Sequence, residues 1–282
     1  MRHSRLRFAI TNFQDLLNHM PSIREIISAI ETLAPPELQE KWDNTGWQVR
    51  TLPPDTACSG ALVCLDVSAA IVDEALSLGA NLIIAHHPLI FKGVRQVTPD
   101  DKTGRAIIAA IRGGVDIYAS HTALDSAPRG INARLASLLG LRDVEVLDPA
   151  AAGGEAGLGR IGNLPQSLSR EEFLDLVAER LDTTYIRATE GPGGRVERVA
   201  LCGGSGSEFI EEAIARGADA YVTSDTRYHP LIDFGREILI ADTCHYESEK
   251  CAKNIFVEEI SKKFPNFAVY MSAREKSPVT IK

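Results

Sequence analysis

The sequence lacks the features that define several large classes of protein. Its five cysteines are odd in number and form no CxxC pair, so reduced, buried thiols are expected rather than a disulfide framework. No apolar run approaches the roughly 20 residues that a membrane-spanning helix needs. The net charge is −8, which argues against an extended nucleic-acid surface, because such a surface requires clustered Lys and Arg.

Two common catalytic motifs are missing as well. The chain contains no Ser nucleophile elbow, and Cys244 and His245 are neighbours in sequence, so their side chains do not form a Cys-His dyad. The segment 203–208, Gly-Gly-Ser-Gly-Ser-Glu, lacks the P-loop lysine and the full GxGxxG pattern. A tight turn is therefore the favoured interpretation, with a backbone cradle for a phosphate or carboxylate as the alternative.

The first 19 residues differ from the rest of the chain. Arg2, Arg5 and Arg7 precede only a short apolar patch, which Asp15 interrupts, so no secretory signal is expected. We interpret residues 1–19 as an N-terminal extension, with an Arg-rich transit peptide as the alternative. Together with the reduced cysteines, this predicts a cytoplasmic protein.

Alternating strands and helices predict an α/β fold. Residues 61–65 and 81–85 are short apolar strands on either side of a helix over 68–78, and the pattern recurs between residues 199 and 223. Strands that are apolar throughout indicate parallel sheets covered on both faces by helices. We therefore predict two related α/β domains with mainly parallel sheets flanked by helices. The Gly- and Ala-rich residues 149–165 are interpreted as a loop or lobe boundary.

The residues most able to carry chemistry follow three predicted strands, at 81–85, 115–118 and 238–241. They are two adjacent histidines, a His–Asp pair and a His–Glu pair: His86, His87, His121, Asp125, His245 and Glu249. Ligand groups collect at the carboxyl ends of strands in open α/β sheets, so these positions favour function. In the His–Asp pair and in the His–Glu pair the two residues are four positions apart, which puts both side chains on one face of a helix.

This mixture of imidazoles and carboxylates predicts a site for divalent metal ions. The ligand types suit Zn, Mn, Fe, Co or Ni better than Ca or Mg alone. More ligands are present than one four-coordinate catalytic zinc uses, and a carboxylate can bridge two ions, so two ions per chain are expected. His229, in the segment 224–229 that ends the repeated pattern, offers a further acid/base group.

Several motifs, in this order, resemble those of the YbgI-like family, which is also labelled GTP cyclohydrolase I type 2 homologue or Nif-three-like. The similarity runs from about residue 21 to the C-terminus. Its signposts are Trp-Asp-Asn-Thr-Gly at 42–46, His-His-Pro-Leu-Ile-Phe-Lys at 86–92, Ser-His-Thr-Ala-Leu-Asp at 120–125, Gly-Leu-Gly-Arg-Ile-Gly at 157–162, Gly-Gly-Ser-Gly at 203–206 and His-Tyr-Glu-Ser-Glu at 245–249.

The resemblance implies a dinuclear metal centre with specific ligands. The positions that match the family's ligands are His86, His87, Asp125, His245 and Glu249. Among them, Asp125 and Glu249 are expected to bridge the ions, and His121 matches a residue close to the site. Arg227 stands where many members have Lys, and an Arg is not a neutral exchange at an anion contact, so the substrate is expected to differ.

The resemblance also implies an arrangement of domains and subunits. The first, metal-binding α/β domain comprises residues 20–125 and 230–282, and the second, residues 126–229, is inserted into it. Members of the family form toroidal homohexamers whose metal sites face an internal cavity. No membrane partner is expected.

Two functions remain open from the sequence. The first is a metal-dependent hydrolase in which two ions lower the pKa of a bridging water, while His121 or His229 moves protons. Its small-molecule substrate would be a nucleotide or phosphate ester, and purine ring opening and ester hydrolysis both fit. The second is a metal-binding scaffold, metal chaperone or regulatory partner without turnover.

Overall fold

The computed structural model describes residues 20–150, 153–183 and 185–280, and the predicted extension over 1–19 lies outside these ranges. Within them, the chain is an α/β protein with two sheets flanked by helices, as predicted. The helices are α1 (Ile23–Leu33), α2 (Ala69–Ser77), α3 (Lys102–Gly113), α4 (Thr122–Ser126), α5 (Ile131–Leu138), α6 (Arg170–Leu181), α7 (Ile210–Ala215), α8 (Tyr228–Phe234), α9 (His245–Glu249) and α10 (Cys251–Lys263). The strands are β1 (Gly46–Val49), β2 (Ala61–Cys64), β3 (Leu82–Ala85), β4 (Asp116–Ala119), β5 (Arg142–Pro149), β6 (Gly157–Leu168), β7 (Ile186–Ala188), β8 (Val196–Ser205), β9 (Ala220–Ser224), β10 (Leu239–Thr243) and β11 (Val269–Met271).

The first sheet has the strand order β1-β4-β3-β2-β11, and every neighbouring pair except β1 with β4 is parallel. Strands β2, β3 and β4 are buried along their whole length because helices cover both faces. Successive residues alternate between two apolar clusters. Ala61 and Val63 face α1 and α10, whereas Leu62 and Cys64 face α2 and α3.

The second sheet has the order β5-β6-β8-β9-β10-β7. Strands β8, β9 and β10 are parallel, whereas the pairs β5–β6, β6–β8 and β10–β7 are antiparallel. Here, too, the strand faces alternate: Tyr221 and Ile240 pack under α7 and α8, while Val222 and Ala241 enter the same apolar cluster as Ala61 and Val63. The two sheets therefore share one core, with α1, α5, α6 and α10 among the elements that contribute to it.

Strand β10 belongs to the second sheet, although the predicted boundary between residues 229 and 230 places it with the first domain. The second sheet thus extends to Thr243, and only afterwards does the chain return to the first sheet through α10 and β11. All five residues of β10 are buried, which a position between two partner strands explains. The division of the chain into domains stays a prediction.

The expectation of a loop over residues 149–165 is wrong for most of that segment, because β6 begins at Gly157. Glycines normally weaken a strand, but here they permit a close approach of neighbouring backbone. A Cβ at Gly162 would lie 2.8 Å from the carbonyl oxygen of Arg142 on β5, and one at Gly159 would lie 2.8 Å from that of Leu201 on β8.

The start of α1 follows the sequence closely. Ser22 accepts a hydrogen bond from the backbone N–H of Glu25, whose carboxylate accepts one from the N–H of Ser22 in return, and this forms a capping box. Among the helices of the described ranges, none combines the length and the apolar character that crossing a bilayer requires.

Candidate metal centre

Three strands deliver the predicted ligands to one place between the sheets. Beyond β3, the N–H groups of His86 and His87 continue the ladder to the carbonyl oxygens of Cys64 and Leu65. Beyond β4 the chain turns into α4, which carries Asp125, and beyond β10 it turns into α9. Because these turns follow the carboxyl ends of strands from both sheets, their side chains converge.

Glu249 lies at the centre of the cluster. Its Oε2 is 2.9 Å from Nε2 of His87, 2.8 Å from Nε2 of His245 and 3.7 Å from Nε2 of His86. Nε2 of His86 is in turn 3.8 Å from Oδ1 of Asp125. Ligand atoms of one tetrahedral ion stand roughly 3.3 Å apart when each bond is about 2 Å long, so these separations fit ligands of a common ion.

The potential ligand atoms form three overlapping groups, in each of which they lie within 4.8 Å of one another. The groups are His86 with Asp125 and Glu249, His87 with His245 and Glu249, and His86 with His87 and His121. These His, Asp and Glu groups can hold a metal ion. Glu249 is shared by two groups, whereas Asp125 belongs to one, so a bridging role for Asp125 stays a prediction.

Each of the four histidines is held through its Nδ1, which leaves Nε2 free to face the cluster. Nδ1 of His86 donates to the carbonyl oxygen of Ser120, at 3.0 Å. The other three rings meet carboxylates, in the pairs His87–Asp66, His121–Asp43 and His245–Asp225, at 3.0, 2.8 and 2.7 Å. Such outer partners fix the tautomer and the ring orientation of metal-binding histidines.

Two buried polar atoms in the cluster have no hydrogen-bond partner: Nε2 of His86 and Oδ1 of Asp125. Burial lowers the pKa of His86 to about 4, and its Nδ1–H is directed at a carbonyl oxygen, so Nε2 presents a lone pair. Burial and the neighbouring Glu249 raise the pKa of Asp125 well above its usual value. Buried polar atoms are seldom left unpaired, so a cation between them fits this donor set.

The histidines and carboxylates of the cluster otherwise stabilise one another's charged forms. Burial favours neutral forms, but the carboxylates of Asp66 and Glu249 outweigh it and raise the pKa of His87 to about 10. In the same way, Glu249 and Asp225 raise the pKa of His245 to about 9. The three surrounding imidazoles outweigh the burial of Glu249 and hold its pKa well below the usual range.

We expect metal binding at pH 7 to release at least two protons per chain. His87 and His245 are protonated at that pH because their pKa values are raised, whereas a metal requires the neutral imidazole. The apparent affinity should consequently rise as the pH increases towards 9 and fall in acid. Calorimetric titration with Zn²⁺ in two buffers of different ionisation enthalpy measures the proton count, and a count near zero would contradict this assignment.

His121 and His229, the two predicted proton carriers, are placed differently. The ring of His121 lies 5.2 Å from that of His86 and 5.5 Å from that of His87, centroid to centroid. His229 is exposed at the start of α8, where its ring meets Tyr228 edge to face at 5.7 Å. Of the two, the described contacts bring only His121 to the cluster.

Three carboxylates with a part in the site were not predicted as members of it. Asp43 belongs to the Trp-Asp-Asn-Thr-Gly motif, which by itself indicates only a packed loop, and Asp66 follows the buried strand β2 by two residues. Asp225 follows β9, in the position that corresponds to His86-His87 in the repeated pattern. A carboxylate just beyond a buried strand is the signal that could have identified the last two.

The prediction of a tight turn at the glycine-rich segment 203–206 is wrong for its first three residues, which form the end of β8, where the register with β9 shifts. Three of its N–H groups donate to side chains of the protein, namely those of Gly203 to Asn132, Gly204 to Ser248 and Gly206 to Thr223, at 2.9 to 3.1 Å. Gly204 also lies directly against Glu249 and His245. With its φ of +66°, a Cβ there would come within 2.0 Å of Oε1 of Glu249.

A cavity of about 430 Å³ opens over the cluster. This volume is within the range of small-molecule sites, about 300 to 1,000 Å³. The site residues in its wall are His87, His121, Asp125, His245 and Glu249. The wall also contains five apolar residues: Trp42, Pro88, Phe91, Leu158 and Phe209.

Comparison with known proteins gives one consistent family. The profile of Duf34/NIF3 (NGG1p interacting factor 3) matches residues 21–278. A "GTP cyclohydrolase 1 type 2 homolog" of Streptomyces coelicolor is 35% identical over 236 residues, which is 82% of this chain and 82% of that protein. The protein of the same description from Clostridium acetobutylicum is 33% identical over 229 residues, 80% of this chain and 85% of that one.

Solved structures agree with this result. The structure of a Bacillus cereus protein related to NIF3 matches with a TM-score of 0.84 at 26% identity. The match covers 93% of this chain and 100% of that chain. Reduced HcgD from Methanocaldococcus jannaschii has a TM-score of 0.75 at 26% identity, with 89% and 97% covered.

Proposed function

This chain belongs to the Duf34/NIF3 family, and from that premise we propose that it is a metal-dependent hydrolase with two divalent ions held between its sheets. The observation that carries the proposal is the unpaired state of Nε2 of His86 and Oδ1 of Asp125, which are both buried and lie 3.8 Å apart. A bound cation would satisfy both atoms together, and buried polar atoms in folded proteins are seldom left without a partner.

The ligand groups suggest how two ions would be held. His86, Asp125 and Glu249 would hold one, and His87, His245 and Glu249 the other, with Glu249 shared. When bound, such ions supply Lewis acidity and lower the pKa of a coordinated water, whether they are Zn, Fe, Mn, Co or Ni. Substrates of two kinds fit this chemistry, a purine ring that is opened and a phosphate ester.

His121 is placed to move the proton. Its Nδ1 donates to Asp43, whose carboxylate also accepts hydrogen bonds from the N–H and hydroxyl of Thr122. Because Nδ1 is held by Asp43, Nε2 is the ring nitrogen left for the cavity that His121 lines, which is the arrangement that a general base requires. The hydrogen bonds from His121 and Thr122 outweigh burial and hold the pKa of Asp43 well below its usual range, so this carboxylate stays ionised.

Metal analysis combined with a turnover screen tests the proposal. We expect close to two transition-metal ions per chain by plasma mass spectrometry on protein purified without chelator. Hydrolysis of nucleosides, nucleotides and phosphate esters is then screened with the metal that is found. The variant H121Q should keep its metal and lose about 100-fold or more in turnover, as removal of a general base does.

The matched control is H229Q, because His229 is exposed and has no described contact with the cluster. It should hydrolyse like the wild type. Metal binding without turnover on any substrate would favour the alternative, a metal-binding scaffold, metal chaperone or regulatory protein. Protein that takes up no metal, even after reconstitution, would end both proposals.

We further propose that the chain assembles as a toroidal homohexamer and acts in the cytoplasm. The support for the hexamer is the resemblance of its motifs to those of the family, and the support for the compartment is the absence of a disulfide among the described cysteines. Light scattering on the purified protein would give six times the chain mass if the first proposal is right.

A further inference from the structure

Two large aromatic side chains stand exposed at the mouth of the cavity. Trp42 is 58% and Phe91 is 48% exposed, although both are residues that a protein normally buries. Their ring centroids are 5.8 Å apart, and each lies about as far from the ring of His121, at 6.0 and 6.1 Å. The three rings thus form a triangle, and one of them, that of His121, belongs to the candidate metal cluster.

The cavity wall is short of positive charge. None of its 16 residues is Lys or Arg, and four of them are carboxylates: Asp66, Asp125, Glu208 and Glu249. Two divalent ions would contribute +4 and bring the sum of these formal charges to zero. No surplus positive charge would then remain to attract a polyphosphate, which proteins commonly hold with Arg, Lys or free backbone N–H groups.

Three backbone N–H groups at or beside the wall are already paired within the protein. The N–H groups of Gly203 and Gly204 at the end of β8, and that of Gly206 just beyond it, donate to side chains of the protein. Glu208, which follows β8 and lines the cavity, adds a negative charge to the wall, and this charge would repel a phosphate.

We propose that the cavity binds a planar, uncharged heteroaromatic ring of the nucleobase type, stacked against Trp42 and Phe91, and that it does not select phosphate groups. The inference rests on the proposed function, which it deepens by naming the class of substrate. Aromatic faces stack on any planar ring, which explains why two of them remain in contact with water beside a metal centre. A neutral ring also meets no repulsion from the four carboxylates of the wall.

Calorimetric titration of the metal-loaded protein tests the ring site. The ring probes are guanosine, adenosine and free adenine, and the phosphate probes are ribose 5-phosphate and inorganic tripolyphosphate. We expect at least one ring probe to bind at least about tenfold more tightly than either phosphate probe. Phosphate probes that bind as tightly as the best ring probe, or ring probes that all fail to bind, would overturn the proposal.

Substitution of Trp42 separates stacking from simple apolar contact. W42L keeps apolar bulk but removes the aromatic face, and should weaken ring binding about tenfold, since stacking of one base is worth about 1 to 3 kcal/mol. W42F keeps an aromatic face and should retain most of the affinity. The control is I111A, because Ile111 is 57% exposed on α3 and does not line the cavity.

Metal content and molecular mass are measured on every variant. Unchanged metal in W42L with weaker ring binding supports the ring site. Unchanged ring affinity with an altered mass by light scattering would show that Trp42 is a subunit contact, and would overturn it. Ring binding without turnover on any substrate would support the ring site while contradicting the proposed hydrolase, so the two failures are distinguishable.

Discussion

Replacing Glu249 by alanine should empty the candidate metal centre and leave the fold intact. The carboxylate of Glu249 lies within 3.7 Å of His86, His87 and His245, and it is shared by two of the three potential ligand groups. Loss of a partner that merely orients a ligand already lowers metal affinity 10- to 100-fold, so loss of the shared ligand should exceed about 100-fold. Metal content by plasma mass spectrometry, with far-UV circular dichroism as the check on folding, measures the effect.

A neighbouring glutamate supplies the control for this substitution. Glu247 lies on the same short helix, α9, but belongs to none of the ligand groups. E247A should therefore keep its metal. Full occupancy in E249A, or an equal loss in both variants, would refute the assignment of Glu249 as the shared ligand.

The substitution of Gly204 by alanine should have the second largest effect, although glycine cannot bind a metal through a side chain. Its φ of +66° is costly for any residue with a Cβ, and the added methyl group would stand 2.0 Å from Oε1 of Glu249. The carboxylate must then shift, which disturbs its contacts with the histidines. We expect metal affinity to fall at least about tenfold, together with a lower free energy of unfolding.

Gly217 is the control that separates the cost of the backbone conformation from the clash with Glu249. Its φ is +72°, and nothing lies within 4 Å of a Cβ built there. G217A should therefore show the cost of backbone conformation alone, about 1 to 2 kcal/mol, without loss of metal. In the E249A background, where no carboxylate remains to be displaced, G204A should cost about as much as G217A. Equal effects of the two glycine substitutions in the wild-type background would contradict the proposed contact.

The sequence predicted the fold well where the local signal and the tertiary context agree. The apolar strands of both sheets appear as expected, because fully apolar strands need cover on both faces. It failed at Gly157–Leu168, where glycines that punctuate loops elsewhere serve the close approach of β5 and β8. The sequence offered no means of choosing a sheet for β10, because that choice depends on pairing with β9, a contact that no local pattern records.

The candidate site divides in the same way. The adjacent histidines, the His–Asp pair and the His–Glu pair were predicted from their positions after strand ends. The structure brings all six residues together. Asp43 and Asp66 were missed because they lie far along the chain from the histidines that they orient, His121 and His87. Gly204 could not be foreseen either, since its importance depends on how closely one segment passes another.

The convergence of side chains from both sheets has a consequence for the rate at which the protein is degraded. His86 follows a strand of the first sheet and Glu249 follows a strand of the second, so an ion held by both would tie together segments that are 163 positions apart in the chain. A ligand that binds only the folded state stabilises it in proportion to the logarithm of its free concentration. Resistance to proteolysis would then depend on the concentration of free metal. A chain synthesised when metal is scarce would be degraded sooner than one synthesised when metal is abundant.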